Sequence, residues 1–179
     1  EVRDPFEAAT SLGWFIRSLA VPAPPDAPAP VYRGTPLPMR DEPFRARVET
    51  LGDLIDGAAA LAAWEKALAA PEYAGPHRWL HGDLHPANLI VNDGVLIAVI
   101  DWNDLCGGDY ASDLAAGWMC FDATQREVFR AAVGDVDDDA WARARGWALS
   151  HAIACLESSA DNPRMNAIGR RTLDEVLAS

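Results

Sequence analysis

Asp83, Asn88 and Asp101 supply a carboxylate, a neutral amide oxygen and a second carboxylate, and they lie within the stretch HGDLHPANLIVNDGVLIAVIDW over 81–102. Between them run Leu89-Ile90-Val91 and Val95–Ile100, two apolar, mostly β-branched segments joined by Asn92-Asp93-Gly94, a strong short-range hairpin signal. Counting outward from that turn sets Asn88 opposite roughly Val99. Asp83, Asn88 and Asp101 therefore converge on one end of a ribbon, although eighteen positions separate the first from the last. A hard cation such as Mg²⁺ takes oxygens of this kind and completes its octahedron with water and substrate phosphates. That leaves Asp83, before the loop, to point at an incoming hydroxyl. Phosphoryl transfer needs an orienter or base for the nucleophile and neutralisation of phosphate charge. With an ordinary aspartate pKa near ~4, Asp83 would mainly orient the hydroxyl and accept its proton late.

The elements that must position these groups are mostly helical. Asp4-Pro5 opens a helix that runs to about Ala20, with Phe6, Ala9, Leu12, Phe15, Ile16 and Leu19 on one face. Five prolines within Val21–Pro30 exclude helix and inner strand, so this segment is an extended arm over the surface. Val31–Arg40 is turn-rich. Helices are predicted over Asp41–Leu51 and Leu54–Ala70, the second ended by Pro71. Beyond the site, Asp113-Leu114-Ala115 opens a helix toward Met119, and Asp122 to Gln125 has the spacing of a capping box. Two more helical stretches follow, about Asp138–Glu157 and Arg164–Leu177. The acidic residues Asp135, Asp137, Asp138 and Asp139 match the N-terminal end of a helix dipole and lack the spacing of a calcium loop. The expected fold is mainly α with a small β-hairpin (α+β), one domain over residues 1–179.

Composition narrows the partners. A net charge of −12 over 179 residues argues against nucleic acid and anionic membrane surfaces, which need a positive patch, and tilts toward a cationic small ligand. Cys106, Cys120 and Cys155 form no metal or disulfide pattern and point to a reducing compartment. With no signal-peptide pattern and no long apolar run, a soluble cytoplasmic protein is expected.

His81-Gly82-Asp83-Leu84-His85-Pro86-Ala87-Asn88, then Ile100-Asp101-Trp102, Gly108-Asp109 and Asp113-Leu114-Ala115, resemble the aminoglycoside phosphotransferase family of protein-kinase-like small-molecule kinases. The first block is similar to the H-G-D-x-x-x-x-N catalytic loop, the second to the metal-binding aspartate, the third to the G-D-x-x-x-D-L-A continuation. The resemblance implies the C-terminal lobe of the protein-kinase-like fold and transfer of the γ-phosphate of ATP or GTP to a hydroxyl. It implies Asp83 as catalytic base, His81 as a brace for the loop, and Asn88 and Asp101 as Mg²⁺ ligands. His85 stands where protein kinases put a lysine, so a phosphate contact and simple loop packing are both open to it. Asp113 and Asp109 are expected to cap helices and tie loops. The family's acceptors include aminoglycosides, macrolides and choline, which makes antibiotic resistance one implied role. Glu157 and Asp161 could hold the ammonium groups of an amino sugar or be solvated surface.

Asn103, Cys106 and Tyr110 depart from the family pattern. No Gly-rich strand pair or G-x-x-x-x-G-K-[ST] occurs, and the sole lysine, Lys66, falls in a helix. The chain is thus expected to be the catalytic lobe alone, with weak nucleotide binding and little turnover by itself. Two rivals stand beside this reading. A remnant or interaction module would self-associate through an exposed lobe interface. A metal-dependent phosphohydrolase would use the alternating His81, Asp83 and His85 as ligands.

Overall fold

The computed structural model describes residues 2–179. Helix α1 (Pro5–Leu19) starts where Asp4 accepts hydrogen bonds from the Phe6 and Glu7 amides, and buries Ala8, Ala9, Leu12, Gly13 and Ile16. Phe6, expected on that face, is exposed. After the arm come α2 (Asp41–Leu51) and α3 (Gly57–Leu68). The expected single helix from Leu54 is shorter: a 3₁₀ turn at Gly52–Leu54 and extended Ile55 precede it, and Asp56 caps α3 through the Ala59 amide. Trp64 stacks on Phe44 at 4.2 Å and donates its indole N–H to Asp41, locking α2 to α3.

Two small antiparallel sheets follow, one more than the hairpin alone. Strand β2 (Leu89–Asn92) pairs with β3 (Val95–Val99), and β1 (Arg78–Leu80) pairs with β4 (Cys106–Gly108). The two loop residues of the hairpin, Asp93 and Gly94, have φ of 49° and 79°, the mirror-image turn that the twist of a ribbon favours. The Pro-rich arm lies along the other sheet: the Trp79 amide donates to Val21, Ala23 to His77 and Gly107 to Pro28.

The remaining helices are α4 (Ala111–Leu114), α5 (Ala116–Cys120), α6 (Ala123–Val133), α7 (Asp138–Ser158) and α8 (Pro163–Leu177). The capping box of α6 forms, and Asp137 caps α7 with Asp138 and Asp139 in its first turn, so the acidic run serves the helix dipole. Helix α7 runs through the apolar core, burying Ala144, Trp147, Ala148, Leu149, Ala152 and Ile153 against α2, α3, α4 and α8. Mainly helix with two small sheets, the architecture is α+β. Among the described residues no helix is long and apolar enough to cross a membrane.

Candidate active site

The two sheets hold two loops face to face. Pairing of Leu80 with Cys106 sets the start of the 81–88 loop beside the end of the 101–105 loop. Pairing of Leu89 with Val99 does the same for their other ends. The hairpin register is shifted by one from the simple count, because Ile90 pairs with Ala98 while Val91 pairs with Leu96, leaving Ile97 as a bulge. Asn88 consequently stands against Ile100, whose amide donates to the Asn88 carbonyl at 2.9 Å, rather than against Val99. The bulge brings Asn88 one residue nearer Asp101.

Gly82 has φ +82°, and a Cβ there would lie 2.3 Å from the Asp104 carbonyl oxygen, so the close approach of the two loops requires glycine. Asp113 on α4 anchors the same loop. Its buried carboxylate accepts the backbone N–H of His81 at 2.6 Å and of Gly82 at 3.1 Å. Burial pushes this carboxyl up, and those two amides oppose the shift. Asp113 therefore does not cap its own helix, which already starts at Ala111; it ties the loop. Asp109 caps that helix through the Ala111 amide and also meets Arg143 at 2.7 Å.

His81 is fully buried. Its Nε2 lies 3.0 Å from the Ile100 carbonyl, and its Nδ1 accepts the Asp83 amide at 3.2 Å, which bridges the two loops. The ring is therefore committed to the backbone. His85, also buried, accepts the Ala87 N–H on Nδ1 at 3.2 Å and turns Nε2 to Asp83 Oδ2 at 3.4 Å. Asn88 donates to the Asp83 carbonyl at 2.9 Å and lies 3.4 Å from its Oδ2, leaving the Asn88 amide oxygen to face elsewhere. Asp101 is exposed, with φ +65°, and accepts a hydrogen bond from Asn103 at 2.7 Å.

Two participants were not anticipated. Arg33, from the turn-rich loop, pairs with Asp83 Oδ1 and donates to the Gly82 carbonyl at 3.0 Å. His151, midway along α7, has its ring 5.2 Å from that of His85 and tilted by 57° to it, and Asp83, His85 and His151 each offer an atom within 4.8 Å of the others. Burial would raise the Asp83 carboxyl, but His85, Arg33 and His151 outweigh it and hold Asp83 well below the usual carboxylate range. Burial, with Arg33 and His85, also drives His151 down, well below an ordinary imidazole. Pairing over fifty residues and a lone histidine inside a helix leave no periodic signal in a sequence.

Glu157 and Asp161 are not brought to Asp83. Glu157 sits at the end of α7, 3.6 Å from Arg47, and Asp161 is exposed in the turn before α8. Asp83 itself opens into a cleft of about 290 Å³ whose wall carries Arg33, Arg40 and Arg47.

The profile of the phosphotransferase enzyme family (APH) matches residues 2–147. The chain belongs to this family. No curated protein matches it by sequence. Among solved structures, "Macrolide 2'-phosphotransferase type I" superposes with a TM-score of 0.59 at 18% identity, over 95% of this chain and 60% of that one. The apoenzyme of macrolide 2'-phosphotransferase MphH from Brachybacterium faecium gives 0.53 at 22% identity, over 94% and 60%. Spectinomycin phosphotransferase APH(9)-Ia, in complex with ADP and spectinomycin, gives 0.61 at 13% identity, over 97% and 64%. At these identities the likeness shows the fold, and the chain spans less than two thirds of each of these structures.

Proposed function

We propose that the chain is the catalytic lobe of a kinase-like enzyme that transfers the γ-phosphoryl group of a nucleoside triphosphate to a hydroxyl of a small acceptor. The observation that carries this reading is the Asp83 carboxylate at the floor of a cleft, next to Asn88, which the bulged hairpin delivers beside Asp101.

The donor set fits a magnesium-bound nucleotide. The Asn88 NH₂ is spent on Asp83, its amide oxygen has no partner among the described residues, and Asp101 is exposed at the start of its loop. Asn88 and Asp101 would hold Mg²⁺, which would neutralise charge on the phosphates. Asp83 would accept a hydrogen bond from the acceptor hydroxyl and aim its oxygen at phosphorus. As the new O–P bond forms, the bond from phosphorus to the β–γ bridging oxygen breaks, the nucleoside diphosphate leaves, and the hydroxyl proton passes to Asp83. A carboxylate kept so acidic takes that proton late, so its main contribution is orientation. His85 and Arg33 act as positioning residues, fixing the two Asp83 oxygens from opposite sides, and His81 braces the loop.

The test is a phospho-product screen with Mg-ATP and Mg-GTP. Asp83→Asn is expected to lose at least about a hundredfold in rate, and Asp101→Asn to lose magnesium-dependent nucleotide binding. Full activity of Asp83→Asn would overturn the base assignment.

A phosphohydrolase reading draws on the Asp83, His85 and His151 cluster, with His151 taking the place expected of His81. Against it stands the Arg33 guanidinium already paired with Asp83, which repels a cation from that oxygen set.

A further inference from the structure

The overall charge of −12 makes the composition of the cleft unexpected. Arg33, Arg40 and Arg47 line it, together with Trp147 and His151 of α7. Two of these arginines have carboxylate partners: Arg33 pairs with Asp83, and Arg47 lies 3.6 Å from Glu157. Arg40 forms neither an ion pair nor a side-chain hydrogen bond among the described residues. Burial, then Arg47 and Arg33, make its guanidinium harder to keep charged, which describes a cation standing in a positive field.

Arg40 is therefore the cation of the cleft with no carboxylate partner among the described residues. The carboxylates that line the same space lie beside Arg33: Asp83 pairs with Arg33 and with His85, and half-exposed Asp104 lies 3.9 Å from Arg33. Asn88 and Asp101 do not line this cleft, so the side of Asp83 that would meet the metal and nucleotide is a different one. An ammonium entering here would have to displace Arg33 from Asp83 while meeting Arg40 and Arg47. Oxygen-rich anions would meet unsatisfied donors whose planar forks match carboxylate and phosphate.

We propose that the acceptor is a compact hydroxylated anion, carrying a carboxylate or a phosphate held by Arg40 and Arg47, with its hydroxyl at Asp83. This rests on the phosphotransferase reading for the hydroxyl's fate, not for the binding. It reverses the cationic tilt that net charge alone suggests, because net charge averages over a surface whereas a ligand meets only the cleft. The volume of about 290 Å³ suits a compact molecule, being at the lower bound of drug-sized pockets of ~300 Å³ and more. Glu157, a candidate for an amino sugar's ammonium, already has Arg47 as its cation.

The test uses calorimetry on the chain without nucleotide, with four probes on one three-carbon hydroxylated scaffold: glycerate, glycerol 2-phosphate, glycerol and 3-amino-1,2-propanediol. At least one of the two anions is expected to bind tenfold or more tightly than glycerol, with the amine no better than glycerol. The comparison of glycerate with glycerol 2-phosphate separates a carboxylate from a phosphate ligand. Arg40→Gln is expected to weaken the anion at least tenfold and Arg40→Lys to restore part of the loss, while Mg-ATP binding measured in parallel stays unchanged. The proposal is overturned if neither anion exceeds glycerol, if the amine binds most tightly, or if Arg40→Gln weakens Mg-ATP as much as the anion, which would assign the arginines to the nucleotide. Anion binding without phosphoryl transfer to any acceptor, once the chain is joined to a nucleotide-binding lobe, would instead count against the phosphotransferase reading alone.

Discussion

Arg33 donates to the carboxylate of Asp83 and to the carbonyl just before it, from fifty residues upstream, and so ties the turn-rich loop to the floor of the cleft. The pair has a pH signature. The folded-state pKa of Asp83 lies below its unfolded value, so the stabilisation is present above pH ~4 and is lost as pH falls through the depressed range. Arg33→Gln brings the folded value back toward the unfolded one. His85 depresses the carboxyl as well, so only part of the shift is lost. The variant should be less stable at pH 7 by about 1 kcal/mol, discounted for partial exposure of both side chains, with the gap closing only as pH falls through the depressed folded range of Asp83. Urea midpoints at pH 7, with a carboxyl ¹³C titration of Asp83 in parent and variant, check this. An Asp83 titration unmoved by Arg33→Gln would exclude the linkage.

Asp113 is fully enclosed, and its two oxygens serve two amides of the loop. Asp113→Ala leaves both N–H groups buried and unpaired, a cost of about 2–4 kcal/mol from two charge-assisted bonds that do not add fully. Asp113→Asn should cost less, since one oxygen can still accept. Both should reduce transfer by displacing Asp83 while leaving far-UV dichroism intact. Equal stability of the alanine variant and the parent would show that the loop is held elsewhere.

Gly82→Ala is the sharper probe of loop geometry. The left-handed backbone costs a residue with a Cβ about 1–2 kcal/mol, and the collision with the Asp104 carbonyl adds to it. We expect a lower unfolding midpoint together with loss of transfer. Gly52→Ala provides the comparison: its φ is also positive, but nothing lies within 4 Å of the added Cβ. Both variants should lose stability to backbone strain, and only Gly82→Ala should move the loop.

Local signals were legible in the sequence. Asp4 before Pro5, the capping box from Asp122 to Gln125 and the Asp93-Gly94 turn each act within one turn of chain, so α1, α6 and the hairpin could be read directly. What depends on distant chain could not. Strands β1 and β4 are three residues each, and Gly107-Gly108 carries no strand propensity; they exist because their partners and the Pro-rich arm supply the hydrogen bonds. The start of α3 was missed because Leu54 and Ile55 continue an apolar pattern that the Asp56 cap interrupts. For the site, Asp83 and Asn88 meet within one short loop, a local relationship five residues apart, whereas Arg33, His151 and the arginine wall are assembled only by packing.

The bulge at Ile97 gives β3 one residue more than β2 between the turn and the site, and two deletions test what the outer pairing does. Ile97 is 59% exposed, so removing it forfeits little burial. Without it, Val91 opposite Leu96 is followed directly by Ile90 opposite Ala98 and Leu89 opposite Val99, so the ribbon becomes regular and Asn88 stays opposite Ile100. Deletion of Ile97 should therefore retain magnesium-dependent nucleotide binding. Deletion of Ile90 instead shortens β2 and, with the bulge kept, moves Asn88 back to Val99. The two oxygen donors then separate by about one residue, some 3.3 Å along the strand, too far for both to reach one small cation with oxygen distances near ~2.1 Å, and magnesium-dependent nucleotide binding should be lost. Retained magnesium dependence in the Ile90 deletion, with the shifted register confirmed by cross-strand nuclear Overhauser contacts, would mean that Asn88 and Asp101 do not share an ion.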